Sequence, residues 1–297
     1  MLQGVALAAA IGVAVVLGLL AYKVFAEAWP AMRHFGVEFI WSNVWNPNSD
    51  LYGAASFIFG TVLTSFIALL IATPLSIAIA LFLTEIAPRR LAAPIATIVE
   101  LLAAIPSVVL GLWGILVFGP WLEHQLEPWL KGAFGFLPIF SGPTSQVGVL
   151  PAALILTIMI VPIISSICRE LFSRIPRDLT DGSLALGSTK WEAVRRVGLP
   201  YAAPGIAAAM LLGLGRAFGE AIAVTQVIGS QTAIHTSLFA SGDTLGSKIA
   251  ASYQGATTGL QIDSLFYLAA ILMVISLLTN VVAQAVVARF EKARRLH

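Results

Sequence analysis

The chain has 297 residues, of which 58% are hydrophobic and 11% are charged. An average soluble domain has about 25% charged residues, so this composition argues against a soluble protein and favours a lipid bilayer as the solvent. The formal net charge is only +2 and the basic residues are dispersed, which argues against a nucleic-acid partner. The single cysteine, Cys168, excludes an internal disulfide framework and a cysteine-based zinc site.

Six segments are long and apolar enough to cross a membrane, for which a helix needs roughly 20 residues. The segments between them contain glycine, proline, asparagine and charges, as loops do. No basic region precedes the first segment, so it is predicted to be a retained span and not a cleaved signal. The sequence therefore predicts an all-α integral membrane protein with about six transmembrane helices. The predicted spans are Val5–Phe25, Phe57–Leu83, Pro94–Phe118, Val147–Ile167, Pro204–Ile228 and Leu265–Ala288.

The distribution of lysine and arginine between the loops predicts the orientation. Twelve of these residues fall on one side of the predicted spans and four on the other, and the richer side is expected to be cytoplasmic. Both termini then face the cytoplasm. The twelve are Arg89, Arg90, Arg169, Arg174, Arg177, Lys190, Arg195, Arg196, Arg289, Lys292, Arg294 and Arg295, and the four are Lys23, Arg33, Lys131 and Lys248. The loops on the poorer side contain five tryptophans, as an interfacial aromatic belt would: Trp29, Trp41, Trp45, Trp121 and Trp129.

The longest cytoplasmic loop contains the polar segment Asp181–Pro200, D-G-S-L-A-L-G-S-T-K-W-E-A-V-R-R-V-G-L-P. Thr189 and Glu192 have the spacing of a capping box that begins a helix. Gly187 is suited to end the preceding helix in the left-handed conformation, and Pro200 is expected to stop the second helix before the next span. The loop is thus predicted to be a rigid elbow of two short helices. The residues expected to cap the first of them are Asp178, Thr180 or Asp181.

The spacing of this elbow resembles the EAA loop of ABC-transporter permeases, E-A-A-x3-G-x9-I-x-L-P. In that family the loop forms the coupling helix that lies in a groove of the cytoplasmic ATPase. The resemblance differs at the start, because an aspartate replaces the glutamate and Gly182 weakens a helix by roughly 1 kcal/mol relative to alanine. The residues at positions of the family motif, to which it assigns coupling to the ATPase, are Asp181, Gly182, Ser183, Gly187, Val197, Leu199 and Pro200.

The sequence lacks the phosphate loop of ATP-hydrolysing proteins, G-x-x-x-x-G-K-[ST]. The chain is therefore expected not to be an enzyme and to carry no cofactor. The resemblance implies that ATP and magnesium bind to a separate ATPase subunit.

Two ionisable residues lie inside the predicted fifth span, where charge costs a few kcal/mol or more. Arg216 and Glu220 are four residues apart, so one helix face would let them pair. They could serve only to neutralise each other, or they could form a polar face on a translocation path. Three neighbouring glycines are expected to allow close approach of another helix: Gly213, Gly215 and Gly219.

The predicted third span contains Glu100 and is interrupted by Pro106. Backbone freed at membrane depth is tolerated only against protein or a water-filled cavity. Pro106 and Ser107 could begin a half-helix whose free N–H groups favour anions, or the proline could simply kink the helix.

These spans resemble the permeases of phosphate-specific ABC transporters, and the PstC type more than the PstA type. The resemblance extends from about Trp45 to Asn280. It is carried by W-N-P, by Y-G-A-x-x-F-I-x-G-T (Tyr52–Thr61), by I-P-S-V-V-x-G-L-W-G (Ile105–Gly114) and by G-R-A-x-G-E-x-x-A-V (Gly215–Val224).

This resemblance implies the type I ABC importer permease fold and a bacterial inner-membrane complex. Its expected partners are a PstA-like second permease subunit, a PstB-like ATPase dimer, a PstS-like periplasmic phosphate-binding protein and membrane lipid. Phosphate would cross by alternating access, along a pathway that includes Arg216, Glu220, Pro106 and Ser107. The implied division of the chain is a first helix and periplasmic loop (1–56), a core of five helices (57–288) with a coupling loop (173–203), and a basic tail (289–297).

Three other functions compete with this one. A permease for sulfate or molybdate would keep the EAA loop and differ in the third and fifth spans. An ion-coupled secondary transporter or channel would explain Arg216 and Glu220 but not the EAA spacing, and the two halves of the chain show no repeat. A membrane enzyme or metal site is not supported, because the four histidines are scattered at positions 34, 124, 235 and 297.

Overall fold

The computed structural model describes residues 2–294, and nearly all of its regular secondary structure is helical. The helices are α1 (Leu2–Phe35), α2 (Glu38–Trp41), α3 (Ala55–Leu81), α4 (Arg89–Ala103), α5 (Ser107–Trp113), α6 (Gly119–Trp121), α7 (Glu127–Phe134), α8 (Val149–Ser173), α9 (Arg177–Ala185), α10 (Lys190–Ala193), α11 (Leu199–Gly219), α12 (Ile222–Val227), α13 (Leu245–Ser252) and α14 (Gly259–Arg294). Strands β1 (Trp45–Asn46) and β2 (Leu51–Tyr52) form a short antiparallel hairpin.

Part of the predicted orientation depends on residues outside this description. Arg295 in the predicted basic tail lies outside the described residues. The side chains of Arg89, Arg289, Lys292 and Arg294 also lie outside them. The orientation therefore remains a prediction from the sequence.

Within residues 2–294, six helical stretches are long and apolar enough to cross a membrane, which confirms the predicted number. They are Gln3–Phe35, Ala55–Ile86, Ser107–Phe134, Val149–Ser173, Lys190–Gly219 and Gly259–Val282. Two of the predicted ranges were wrong. The third span begins at Ser107 and not at Pro94. The continuous helix of the fifth span runs from Lys190 to Gly219 and does not extend unbroken from Pro204 to Ile228.

Wide helical turns explain why prolines failed to end these helices. A proline lacks the N–H that would bond four residues back, and its ring crowds the carbonyl there. In each of three places a π-helical turn, with a hydrogen bond from residue i+5 to residue i, ends two residues before a proline. The widened turn accommodates the ring, so the expected stop at Pro200 is absent and the helix continues. The turns are Gly114–Phe118, Leu122–Leu126 and Val194–Gly198, and the prolines are Pro120, Pro128 and Pro200.

Helix α8 forms the centre of the bundle. Helices α3 and α11 pack along it, and α12 and α5 pack near the same core. Cys168 is fully buried in this core, as predicted. A second core joins α1, α2, the start of α3, α13 and α14 through Phe39, Phe57, Leu265 and Leu268. Helix α3 contributes to both cores. Of the two helices that follow α11, α12 packs in the first core and α13 in the second.

Candidate translocation and coupling sites

The fifth span is interrupted at Glu220. Helix α11 ends at Gly219, and Glu220 itself has extended backbone with φ −78° and ψ 116°. A new helix, α12, begins at Ile222. The expectation that Arg216 and Glu220 lie on one continuous helix was therefore wrong. The reason is that the Glu220 side chain replaces part of the lost helical bonding, since its Oε1 accepts a hydrogen bond from the Ala223 N–H at 3.1 Å.

Arg216 and Glu220 nevertheless form an ion pair across this break. The distance from Arg216 Nη2 to Glu220 Oε2 is 3.3 Å. The two side chains differ in exposure, because that of Glu220 is 5% exposed and that of Arg216 is 48% exposed. The carboxylate is thus held within the protein while the guanidinium remains accessible. This arrangement leaves a cation available to an anionic ligand, with a fixed negative charge behind it.

The chain is also interrupted at Pro106, between α4 and α5. Pro106 has extended ψ of 136° and precedes the first residue of α5, Ser107. The interruption is a complete break and not a proline kink, since α4 ends at Ala103. The predicted half-helix beginning at Ser107 is thus present in the structure. Its role toward an anion stays a prediction.

The two interrupted segments pack against each other. A methyl group added to Gly111 of α5 would lie 3.0 Å from Cα of Ala223, and one added to Gly114 would lie 2.8 Å from Cγ1 of Val227. Glycine is needed at both positions because the helices approach so closely. The order of these contacts shows that α5 and α12 run parallel.

The same register relates the two breaks. Because α5 and α12 run parallel, the breaks at Pro106 and Glu220 both precede the N-terminal ends of this helix pair. Among the described residues, neither Pro106 nor Ser107 forms a hydrogen bond or ion pair with Arg216 or Glu220. The four predicted pathway residues therefore lie in neighbouring segments without forming one bonded cluster.

Of the three glycines near the ion pair, only one supports close packing within this chain. A methyl group on Gly213 would lie 2.8 Å from Cδ1 of Ile164 in α8. At Gly215 and Gly219 nothing lies within 4 Å of such a methyl group. The expectation of close helix packing is confirmed for Gly213. It stays a prediction for Gly215 and Gly219, which lie on the side of α11 that faces away from the bundle.

The first turn of α13 forms a wall beside the break, which the sequence analysis missed. A methyl group on Gly246 would lie 3.2 Å from the Glu220 carbonyl oxygen. Thr225 of α12 donates a hydrogen bond to the carbonyl oxygen of Ser247 at 3.4 Å. Thr244 and Ser247 form a capping box that begins α13. The T-x-x-S spacing was the signal that could have located this helix.

Two charged residues at α13 were also missed. Asp243 is 2% exposed and accepts hydrogen bonds from the Ser247 hydroxyl and the Thr244 N–H. Burial raises the pKa of the Asp243 carboxyl, while Ser247 and the charge of Lys248 oppose that change. Burial likewise lowers the pKa of the Lys248 ammonium, whose nitrogen lies 5.2 Å from the ring centroid of Trp45. These groups connect α13 to the β1–β2 hairpin.

The elbow between α8 and α11 has the predicted local structure. Gly187 has φ +86°, a conformation that favours glycine, and it ends α9 with a hydrogen bond from its N–H to the Leu184 carbonyl at 2.9 Å. Thr189 and Glu192 form the predicted capping box at the start of α10. The residue before α9 is Pro176, so the expected side-chain cap from Asp178, Thr180 or Asp181 was wrong. Pro176 supplies a fixed backbone turn in its place.

The residues of the EAA motif fall on both faces of this elbow. Asp181, Gly182 and Ser183 lie within α9, and a methyl group on Gly182 would meet nothing within 4 Å. Ser183 closes the elbow through its hydroxyl, 2.7 Å from that of Ser188. Leu199 packs against the core around α8.

The remaining motif residues differ in exposure. Val197 is half-buried in the π-helical turn that leads into α11, and Pro200 is exposed in the first turn of that helix. Asp181 lines a cavity of about 570 Å³ between α9 and the inner end of α3, near Glu85. Some residues of the motif, such as Ser183 and Leu199, therefore hold the elbow in place through contacts within the chain, while others, such as Pro200, lie on its exposed surface.

The outer surface of the elbow is apolar and exposed. Leu186 is 92% exposed and Trp191 is 63% exposed, and Leu179 and Leu184 are also exposed nearby. Exposed apolar side chains of this size next to one another are typical of a protein interface. The arrangement is suited to insertion into a complementary apolar groove.

No group of three or more His, Cys, Asp or Glu residues that could hold a metal ion occurs in the described part of the chain.

One further buried carboxylate has a structural partner. Glu127 is fully buried and accepts a hydrogen bond from the Ser145 N–H at 2.8 Å, which ties the segment before α8 to the end of the third span.

Comparison with known proteins identifies the family. Residues 72–296 match the model of the family described as binding-protein-dependent transport system inner membrane component. A phosphate transport system permease protein PstC from Mesorhizobium japonicum is 44% identical over 288 residues, which cover 96% of this chain and 88% of that protein. The PstC protein of Pasteurella multocida is 42% identical over 89% of this chain and 84% of its own length. The chain belongs to the PstC family of permease proteins.

Solved structures show the same fold as this PstC-family chain. A chain of a bacterial alginate ABC transporter is similar with a TM-score of 0.60 and 18% identity, over 95% of each chain. A chain of the MetNI methionine ABC transporter is similar with a TM-score of 0.56 and 20% identity, over 78% of this chain and 93% of that one. The PstC-family chain is thus a multi-pass membrane protein with the permease fold of type I ABC importers, as predicted.

Proposed function

We propose that this chain is a permease subunit of an ATP-driven importer that moves inorganic phosphate across the bacterial inner membrane. The observation that carries the proposal is the accessible Arg216 at a helix break in the fifth span, in a chain whose relatives are named phosphate transport permeases. Phosphate is an anion, and an arginine at membrane depth is an expensive feature that favours a function on the transport path.

The geometry of the ion pair suits passage better than retention. A lone guanidinium would bind phosphate strongly through charge-assisted hydrogen bonds. Glu220 lies 3.3 Å from Arg216 and offsets part of that attraction, so the anion can leave again. Pro106 and Ser107 lie at the start of α5, the helix that packs on α12, and complete the proposed path. Phosphate crosses by alternating access, and no covalent chemistry occurs on this chain.

The energy for transport enters through the elbow. Its exposed Leu186 and Trp191 insert into a separate ATPase dimer, which binds ATP and magnesium and performs the hydrolysis. The full assembly also contains a second permease subunit and a periplasmic phosphate-binding protein. In this assembly both termini of the chain lie in the cytoplasm. This orientation places the elbow on the side of the ATPase.

Uptake of labelled phosphate tests the proposal. Cells that lack other phosphate importers would express the chain with its partner subunits, and sulfate and molybdate would be added as competitors. Phosphate uptake that depends on the binding protein and resists both competitors is expected. Uptake that sulfate or molybdate displaces would assign the chain to another oxyanion.

A pair of variants tests the elbow separately. Leu186→Asp places a charge at the expected contact and should abolish both uptake and co-purification of the ATPase. The matched control is Phe136→Asp, because Phe136 is 79% exposed in a loop far along the chain from the elbow. Retained ATPase binding by Leu186→Asp would show that the elbow is not the coupling surface.

A further inference from the structure

An apolar groove lies between α1, α2, α3 and α14, away from the proposed path. Its volume is about 330 Å³, and its walls include Phe25, Met32 and Val274. Tyr267 also lines it, but the Tyr267 hydroxyl is already bonded to the Gly36 carbonyl oxygen at 3.1 Å. The groove thus offers hydrocarbon contacts and no free polar group, so it is suited to a hydrocarbon chain.

The groove opens toward the surface of two membrane-spanning helices. Phe25 is 39% exposed and Val274 is 43% exposed, and both lie within spans. Lipid tails bind one smooth apolar helix surface about as well as another, because no hydrophobic driving force distinguishes them. A groove with walls from several helices is different, because it surrounds an acyl chain with van der Waals contacts on several sides.

A cation lies beside the groove on α1. At about 100° per residue, Phe25, Trp29 and Met32 lie on one side of that helix, and Arg33 follows Trp29 by one turn. The guanidinium carbon of Arg33 lies 5.3 Å from the ring centroid of Trp29. Among the described residues, the ion pairs closer than 4.0 Å do not include Arg33.

The level of Arg33 in the membrane fits a lipid headgroup. Tryptophan is enriched where the hydrocarbon meets the headgroups, and Arg33 lies next to Trp29 near the end of α1. The lysine of α1 is different in both respects. Lys23 lies on the opposite side of the helix from Phe25 and is paired with Glu27 at 2.6 Å.

We propose that this groove binds an acyl chain of an anionic phospholipid whose phosphate is bound by Arg33. The tail occupies the apolar space beside Val274, and the charged headgroup lies at the Trp29 level. The site is separate from Arg216 and Glu220, so its occupancy can be measured without transport.

Photolabelling of the purified full chain in nanodiscs tests the site. The probes are phosphatidylglycerol and phosphatidylcholine, each with a diazirine in one acyl chain and each at the same low mole fraction in phosphatidylcholine discs. Mass spectrometry then locates the label. Phosphatidylglycerol is expected to label the α14 peptide that contains Val274 roughly fivefold more than phosphatidylcholine, because of the attraction of one cation for an anionic lipid.

Three variants separate the headgroup contact from the tail contact. Arg33→Gln should remove the preference for phosphatidylglycerol while labelling of the groove remains. Lys23→Gln is the matched control and should keep the preference. Val274→Trp fills the groove from its exposed side and should remove labelling by both lipids.

Several results would overturn the proposal. Equal labelling by the two lipids, an unchanged preference in Arg33→Gln, or label spread evenly over all lipid-facing helices would each show ordinary lipid solvation. Protection of the groove in the complex with partner subunits would show that a protein chain covers it. If Val274→Trp fails to fold, as judged by circular dichroism, the comparison of Arg33→Gln with Lys23→Gln still tests whether Arg33 causes the preference for phosphatidylglycerol.

Discussion

The fourth and fifth spans differ sharply although each contains an interior proline. Helix α8 continues through Pro162, whereas the fifth span continues through Pro204 and then breaks at Glu220. Proline is therefore not the cause of the break. Helix α8 is surrounded by the core, while α11 carries Arg216 on an open side. The comparison teaches that the break in the fifth span occurs where a polar side chain, that of Glu220, accepts a freed backbone N–H.

The largest expected effect comes from removing the accessible cation of the broken span. Arg216→Gln should abolish phosphate uptake without preventing assembly of the complex, because the neutral side chain no longer attracts the anion. Labelled-phosphate uptake and co-purification of the partner subunits measure the two properties. Lys23→Gln is the control, since it removes an exposed cation that is likewise paired with a carboxylate four residues on, Glu27, outside both proposed sites. Normal uptake by Arg216→Gln would leave only the neutralising role of the pair.

The next largest effect concerns the side chain that stabilises the break. Glu220→Ala leaves the Ala223 N–H without its acceptor and should lower the free energy of unfolding by about 1–3 kcal/mol. Glu220→Gln keeps an acceptor oxygen and should lose less. Thermal unfolding in detergent compares the two variants. Equal stability of the alanine and glutamine variants would contradict the capping role.

A third prediction compares two glycines of α11 that lie on different sides. Gly213→Leu overpacks the contact with Ile164 of α8 and should destabilise the chain by about 1–3 kcal/mol. Gly215→Leu meets no atom of this chain within 4 Å and should leave the stability of the isolated chain almost unchanged. Chemical unfolding of both purified variants measures the difference. The same loss in both would show that the two sides of α11 are not distinct.

The smallest effect is expected in the unbroken span. Pro162→Ala restores an N–H in a helix that already continues through this position, so stability should change by less than about 1 kcal/mol. Uptake should be retained. Thermal unfolding and labelled-phosphate uptake check both points. A strong loss of uptake would show that Pro162 has a role that helix continuity does not reveal.

The elbow illustrates what local sequence signals predict well. Gly187 and the pair Thr189 and Glu192 act through contacts within a few residues, so their spacing was enough to predict a left-handed helix end and a capping box. Pro200 shows the limit of the same reasoning. The π-helical turn before Pro200 is a small change in hydrogen bonding that no particular residue type predicts, and it allows the helix to continue past the proline.

The pathway residues show a different limit. The sequence indicated that Pro106 and Glu220 were unusual at membrane depth, but it could not place their segments side by side. That neighbourhood depends on the close approach of α5 and α12 at Gly111, which joins residues more than 100 positions apart. Asp243 was missed for the same reason, because its burial arises from packing of α13 against other helices.

Composition and long continuous apolar runs determined that this chain is a six-span membrane protein, since each span must satisfy its own backbone in lipid. Motif spacing determined the coupling elbow and the resemblance to the PstC family. Only the tertiary structure decided that the fifth span breaks at Glu220, that Arg216 stays accessible, and that an apolar groove lies beside Arg33. These features depend on long-range packing, which local sequence patterns do not encode.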